Sequence, residues 1–453
     1  MSGELAARLP PGLRFGASSA AYQIEGAVAE DGRGESIWDR FCRTPGAIAD
    51  GTSGDVACDH YHRWRQDLDL MADLRLDAYR FSIAWPRVQH DGRGALNRAG
   101  VDFYRRLTAG LRERAIDPVV TLNHADLPAR LQDRGGWAAR DTAARFAEYA
   151  RRMAEELGDL VAAWITHNEP WGIAFTGHAE GIKAPGVRDW PTALRVAHHL
   201  LVSHGLAVQA LRASRPGATV GISLNLACAR AASDSPADAE AAERHDQFVN
   251  RWFLDPLLRG RYPDALLAHL QRRAGSVEIR DGDLEIASTP IDFLGVNAYH
   301  PDDVRAAPGR EPLGLEPAPA PPPTSPLGWH IDPEALRELL VRLRRDYGRP
   351  PIWITENGIP DPPDASPERR LADGHRIEYL AGHLAAVAAA IADGADVRRY
   401  FVWSLLDSFE WELGQRAPFG LVHVDFATLE RIPKASAHWY RDVIAHARAA
   451  RGS

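Results

Sequence analysis

The chain has 453 residues, 45% hydrophobic and 25% charged, with a formal net charge of −8, which is the composition of a folded protein with a large core and not of a disordered one. Lys183 and Lys434 are its only lysines, and so acidic a balance argues against a nucleic-acid partner. The start, "MSGELAARLPPGLRFG", lacks the apolar segment of a signal peptide, and no run of 18 apolar residues follows, so no membrane span and a cytoplasmic location are expected.

In chain order, eight short segments read as buried strands: "FGASSA", "AYRFSIAW", "PVVTLNH", "AAWITHNE", "TVGISLNL", "IDFLGVNAY", "PIWITEN" and "YFVWSLLD". Most are β-branched or aromatic at the centre and turn polar at the C-terminal end. Between them lie stretches of helical period, such as "RWRQDLDLMADLRL" and the alanine-rich run around residues 380 to 394. Strand-helix alternation implies parallel strands with helical crossovers, and eight of them predict a closed (β/α)8 TIM barrel of the α/β class, one domain over 1–453. The Pro-rich segment at about 307–326 interrupts the pattern after the sixth strand. Because two more strands follow, it is expected to be a surface loop within the domain.

In such barrels the site forms where strands end and βα loops begin. The polar endings Gln23, Arg80, His124, Asn168 with Glu169, Asn225, Asn297 with Tyr299, Glu356, and Trp403 with Asp407 then surround one mouth. Glu169 in "WITHNEPW" and Glu356 in "ITENG" end the fourth and seventh strands and can face each other there. Paired carboxylates suit glycoside hydrolysis, one protonating the leaving oxygen while the other attacks the anomeric carbon or activates water. A lone strand-end acid more often caps a strand or pairs with an arginine. The pair gains weight from Trp171, Trp329, Trp403, Trp411 and Phe419, whose flat faces suit sugars, although each taken singly is more often core.

Cys42, Cys58 and Cys228 have no paired spacing and read as reduced and structural. Neither lysine ends a strand, as a Schiff base would require. The "DHYH" and "AHH" histidines lack a metal-ligand pattern, and there is no P-loop or dinucleotide fingerprint, so no metal and no cofactor are expected.

From about residue 13 to 446 the chain resembles the β-glucosidases of glycoside hydrolase family 1. The resemblance is carried by "AAYQIEGAVAEDGRGESIWDRF", "GDVACDHYHRW", "LDAYRFSIAWPRV", "WITHNEPW", "GHAEGIKAPG", "NRWFLDPLLRGRYPD", "IDFLGVNAY", "ITENG" and "YFVWSLLDSFEW". It implies a retaining double displacement on a small β-glycoside or oligosaccharide, with Glu356 as nucleophile and Glu169 as acid and then base. It further implies that Gln23, His124, Asn168 and Glu410 hydrogen-bond the non-reducing sugar and that Trp403 and Trp411 stack on it or contact its O3 and O4. Arg80 and Tyr299 match residues beside the nucleophile, and Asn297 a polar residue of the same site. Trp171 and Trp329 resemble walls of the leaving-group subsite, and Phe419 a contributor to the sugar site. The physical reading agrees: Arg80 would favour the charged form of Glu356, while Glu169 carries the proton.

The chain also departs from that pattern. After the third strand the family usually has tyrosine before H-W-D-L-P, whereas this chain reads "NHADLP", with Asn123 and Ala125 in place of the two aromatics. The missing tryptophan touches the sugar near O3 in the resembling enzymes, so a relaxed choice of glycone is expected. The loop after strand eight has Glu410 and no lysine, which disfavours phosphorylated sugars. A transglycosidase using the same residues and a non-catalytic carbohydrate-binding barrel are the alternatives. Retention of both glutamates argues against the second.

Overall fold

The computed structural model describes residues 2–348 and 350–449. Its centre is a closed parallel barrel of eight strands: β1 (Arg14–Ser18), β2 (Ala78–Ser82), β3 (Asp117–Asn123), β4 (Ala163–Asn168), β5 (Val220–Asn225), β6 (Phe293–Asn297), β7 (Ile352–Asn357) and β8 (Val397–Trp403). Neighbours in sequence are neighbours in the barrel, and β8 closes on β1 through pairs such as Gly16 with Phe401. Seven of the eight strands are buried over most or all of their length on both faces, which is why they read as apolar runs without alternation.

Two packed layers hold the barrel. Inside it, toward the strand N-termini, Ala78, Val119, Ala163, Ile165, Phe293, Trp353 and Phe401 form a separate cluster, with Phe293 and Trp353 stacked at 3.7 Å between ring centroids. This plug makes the lower barrel a core and leaves only the opposite end open to a ligand. Outside, helices such as Arg98–Glu113 and Pro333–Tyr347 bury one apolar face, whereas Trp190–Ser214 is buried all round from Val196 to Gly205. The helices Asp141–Leu157 and Trp190–Ser214 pack on each other, and the second starts where the Asp189 side chain accepts a hydrogen bond from the Thr192 backbone N–H.

The Pro-rich segment lies within the barrel's span, as its two following strands require. It is not loop throughout: Leu315–Pro317 is a short strand antiparallel to Asp302–Ala306, which in turn pairs with Ala229–Ala231. Residues on that side thus form a small sheet beside the mouth. Asp407 does not face the mouth either. Its carboxylate accepts from Lys434 Nζ at 2.7 Å, and that ammonium also reaches Asp361 at 2.6 Å. A buried lysine needs such partners, so Asp407 is committed to fastening the C-terminal segment. Among the described residues no helix is long and apolar enough to cross a membrane, and Cys42, Cys58 and Cys228 are free thiols.

Candidate active site

Register brings the two glutamates to one mouth. Glu356 on β7 lies opposite Asn297 on β6, and Asn297 lies opposite Asn225 on β5. Glu169 follows β4 directly, its backbone N–H donating to Ser223 O on β5 at 2.9 Å. Its φ is +47°, a left-handed conformation that a side-chain-bearing residue adopts at a cost of about 1–3 kcal/mol. That turn, followed by Pro170, takes the chain off the sheet and aims the carboxylate across the mouth. Ala125 (φ +65°) and Trp411 (φ +47°) are bent in the same way at the same cavity.

A relay of side chains joins the two carboxylates. Arg80 donates through Nη1 to Glu356 Oε1 at 2.5 Å and through Nη2 to Asn168 Oδ1 at 2.6 Å. Asn297 Nδ2 donates to the same Asn168 oxygen and to Glu169 Oε1, both at 2.9 Å, while its own Oδ1 accepts from Thr355 at 2.7 Å. Tyr299 donates to Glu356 Oε2 at 2.6 Å. Both oxygens of Glu356 are therefore held from fixed directions. One oxygen of Glu169 is held through the same asparagine pair.

Burial pushes the Glu356 carboxyl up to about 7; Arg80 and Tyr299 pull against it and the charge of Glu169 adds to it. Arg80 thus acts in the expected direction, but removing the carboxylate from water outweighs it. Burial likewise pushes Glu410 up to about 8, with Lys183 and the Trp403 indole opposing. His124 moves the other way, well below the imidazole range, through burial and the cations Arg80 and Lys183. A neutral His124 accepting at Nε2 from Asn168 Nδ2 (2.9 Å) must carry its hydrogen on Nδ1.

The mouth encloses a cavity of about 270 Å³. On one wall His124 stacks between Trp403 and Trp411, each 5.9 Å away between ring centroids. On the other, Trp329 meets Tyr299, Phe419 and His300 at 5.7, 6.1 and 4.8 Å. Several polar atoms here are buried without a partner among the described residues: His124 Nδ1, Gln23 Oε1 and Asn225 Oδ1. Gln23 spends its amide hydrogens on Phe409 O and Glu410 Oε2 and leaves its oxygen over. An unpartnered buried donor or acceptor costs roughly 1–3 kcal/mol, so this set is built for a ligand bearing hydroxyl groups.

Of the residues singled out from the sequence, His124, Asn168, Glu169, Tyr299, Trp329, Glu356, Trp403, Glu410, Trp411 and Phe419 line the cavity. Arg80, Asn297 and Gln23 stand behind them and hold Glu356, Glu169 and Glu410. Trp171 is set apart: it packs on Phe175 and Phe248 at 5.5 and 5.4 Å, and Gly172 and Ile173 line the cavity in its stead. Asn123 also faces away from the cavity, its amide 2.9 Å from His167 Nδ1, so its exchange for an aromatic does not reshape the wall directly. Sequence reasoning missed Lys183, Glu412, His300 and Trp38. Lys183 sits in "GHAEGIKAPG", away from any strand end, where position along the chain does not signal the mouth.

A parallel eight-stranded barrel whose mouth holds two facing carboxylates between aromatic walls is the architecture of a glycoside-cleaving enzyme. Comparison with known proteins agrees. The family model for glycosyl hydrolase family 1 matches residues 5–449. β-Glucosidase A of Acetivibrio thermocellus is 47% identical over 438 residues, 96% of this chain and 98% of that protein. Thermostable β-glucosidase B of Thermobispora bispora is 49% identical over 442 residues, 96% and 90%. The family 1 β-glucosidase structure from Thermotoga maritima superposes with a TM-score of 0.93 at 41% identity, covering 97% of this chain and 98% of that one. The chain belongs to glycosyl hydrolase family 1 and is a glycoside hydrolase.

Proposed function

We propose that the protein is a retaining, exo-acting β-glycosidase of the β-glucosidase type, cleaving terminal non-reducing β-D-glycosyl residues from small β-glycosides or oligosaccharides. The observation that carries this reading is the relay from Arg80 and Asn297, which points both glutamates at one cavity with unpartnered polar atoms about it. A blind cavity of about 270 Å³ suits one terminal sugar ring more than the middle of a chain. The relatives named as β-glucosidases make glucose the first glycone to test. The three free thiols accord with a cytoplasmic enzyme.

In this reading Glu356, ionised, attacks the anomeric carbon while Glu169 gives its proton to the departing aglycone oxygen. The glycosyl ester on Glu356 consumes that residue's charge, and the aglycone leaves as a neutral alcohol or phenol. Water then enters, Glu169 takes its proton, the oxygen bonds to the anomeric carbon, and Glu356 departs as carboxylate. Arg80 and Tyr299 hold the nucleophile throughout. Proton NMR of the first product from an aryl β-glucoside tests the stereochemistry: β-glucose should appear first and mutarotate later. The α-anomer appearing first would replace the double displacement by a single one, and no hydrolysis of any β-glycoside would reject the reading.

A further inference from the structure

The gap at Ala125 predicts a relaxed choice of glycone only if nothing else reaches that wall. The structure puts a cation in the same cavity. Lys183 lines the same cavity as Ala125, His124, Glu410 and Glu412. Its backbone is fixed by a donation to Thr176 O at 3.3 Å and an acceptance from the Gly186 N–H at 2.8 Å. The loop starts at Gly181 (φ +67°), where the π-helical run Gly172–Glu180 after Glu169 ends.

An ammonium carries three donors. Its ion-pair partner, Glu412 Oε2, is 3.7 Å away, longer than a hydrogen bond, and that oxygen is buried without a hydrogen-bond partner among the described residues. The Glu412 main chain is fixed too, its carbonyl accepting from the Ala49 N–H at 2.8 Å. The pair thus presents a charged donor and a charged acceptor side by side at the cavity. Burial works against the charge on Lys183 and Glu412 is the first of the carboxylates that sustain it, so an anionic ligand drawn to the ammonium would be repelled by the acid beside it. A neutral hydroxyl, which can accept from the one and donate to the other, fits both.

We infer that Lys183, with Glu412, reads a glycone hydroxyl at the Ala125 wall, supplying from a βα loop the donor that this chain lacks at position 125. It is then a specificity-determining residue for the hydrolysis proposed above, on which this inference rests. The consequence reverses the expectation drawn from Ala125. Discrimination at that hydroxyl should be sharp, because a charged partner left without its hydroxyl is costly, about 10- to 100-fold in rate.

The test compares wild type with Lys183→Met, which keeps the length of the side chain and removes the charge. Values of kcat/KM are measured on an aryl β-glucoside and on its 2-, 3-, 4- and 6-deoxy analogues. The inference expects the parent to fall about 10- to 100-fold in Lys183→Met while one deoxy analogue is hydrolysed as fast as by wild type. That insensitive analogue also shows that the variant is folded, and identifies the hydroxyl. Parallel loss on all five substrates, or no loss on the parent, overturns the inference and leaves the proposed function standing. If wild type hydrolyses neither these five nor any other β-glycoside, the proposed function itself fails.

Discussion

Arg80 and Glu356 meet across the barrel mouth from β2 and β7, 2.5 Å apart, with side chains only 1% and 4% exposed. The pair is the main counterweight to the burial that raises the carboxyl to about 7. Breaking such a pair from one side leaves a charge buried and unpaired. Arg80→Met should therefore move the acidic limb of the kcat/KM profile further up and lower kcat/KM at pH 7 by roughly 100-fold or more. An unmoved acidic limb would show that Glu356 does not control it.

Removing Glu169 should separate substrates by their leaving groups. Glu169→Ala is expected to lose on the order of 10³-fold on alkyl glycosides, whose aglycone needs a proton, and far less on dinitrophenyl glycosides. Added azide, attacking the glycosyl-enzyme on the open face, should give a β-configured adduct. Equal loss on both substrates would take the acid role from Glu169.

Glu410 supplies a stability prediction with a definite sign. Its carboxyl is raised by burial to about 8, so the folded protein binds that proton more tightly than the unfolded chain. The associated stability is fully present below the ordinary carboxylate range and is lost as pH rises through about 8. Relative to wild type, Glu410→Gln should gain in Tm from pH 5 to about pH 8 and hold that gain above it. Taking the difference between the two proteins removes the contribution of buried histidines such as His124, which acts in the opposite sense. Differential scanning fluorimetry across that range checks it, and a constant difference would contradict it.

Gly358, two residues after Glu356, explains why "ITENG" ends in glycine. A Cβ at this position would lie 2.0 Å from the Trp403 carbonyl oxygen, so β7 and β8 can approach at the mouth only without one. Gly358→Ala should lower stability by about 3 kcal/mol and disturb the seating of Glu356 and Trp403 together. Urea unfolding and the kcat of the variant measure both. A stable, fully active Gly358→Ala would mean that the loop yields.

The barrel was legible because its strands are buried on both faces and so appear as apolar runs with polar ends, from "AYRFSIAW" to "YFVWSLLD". Glu169 and Glu356 were legible for the same reason: both stand at strand ends, where position along the chain fixes position at the mouth. Asp407 broke that rule, since a strand-end polar residue can turn outward when a buried cation such as Lys434 claims it. Lys183 and Glu412 were invisible because βα loops place them, and loop paths depend on contacts such as Lys183 with Thr176 that no local pattern encodes. Trp171, two residues after Glu169, packs on Phe175 and Phe248, contacts that the local sequence does not announce.

Covalent trapping bears most directly on the central claim, that Glu356 is the nucleophile of a double displacement. An aryl 2-deoxy-2-fluoro-β-glucoside slows both steps but keeps a leaving group good enough for the first, so the glycosyl-enzyme accumulates. Intact-protein mass spectrometry should show one added fluoroglycosyl group with loss of activity, and peptide mapping should place it on Glu356. A label on Glu169, or continued turnover with no label on any residue, would contradict the account.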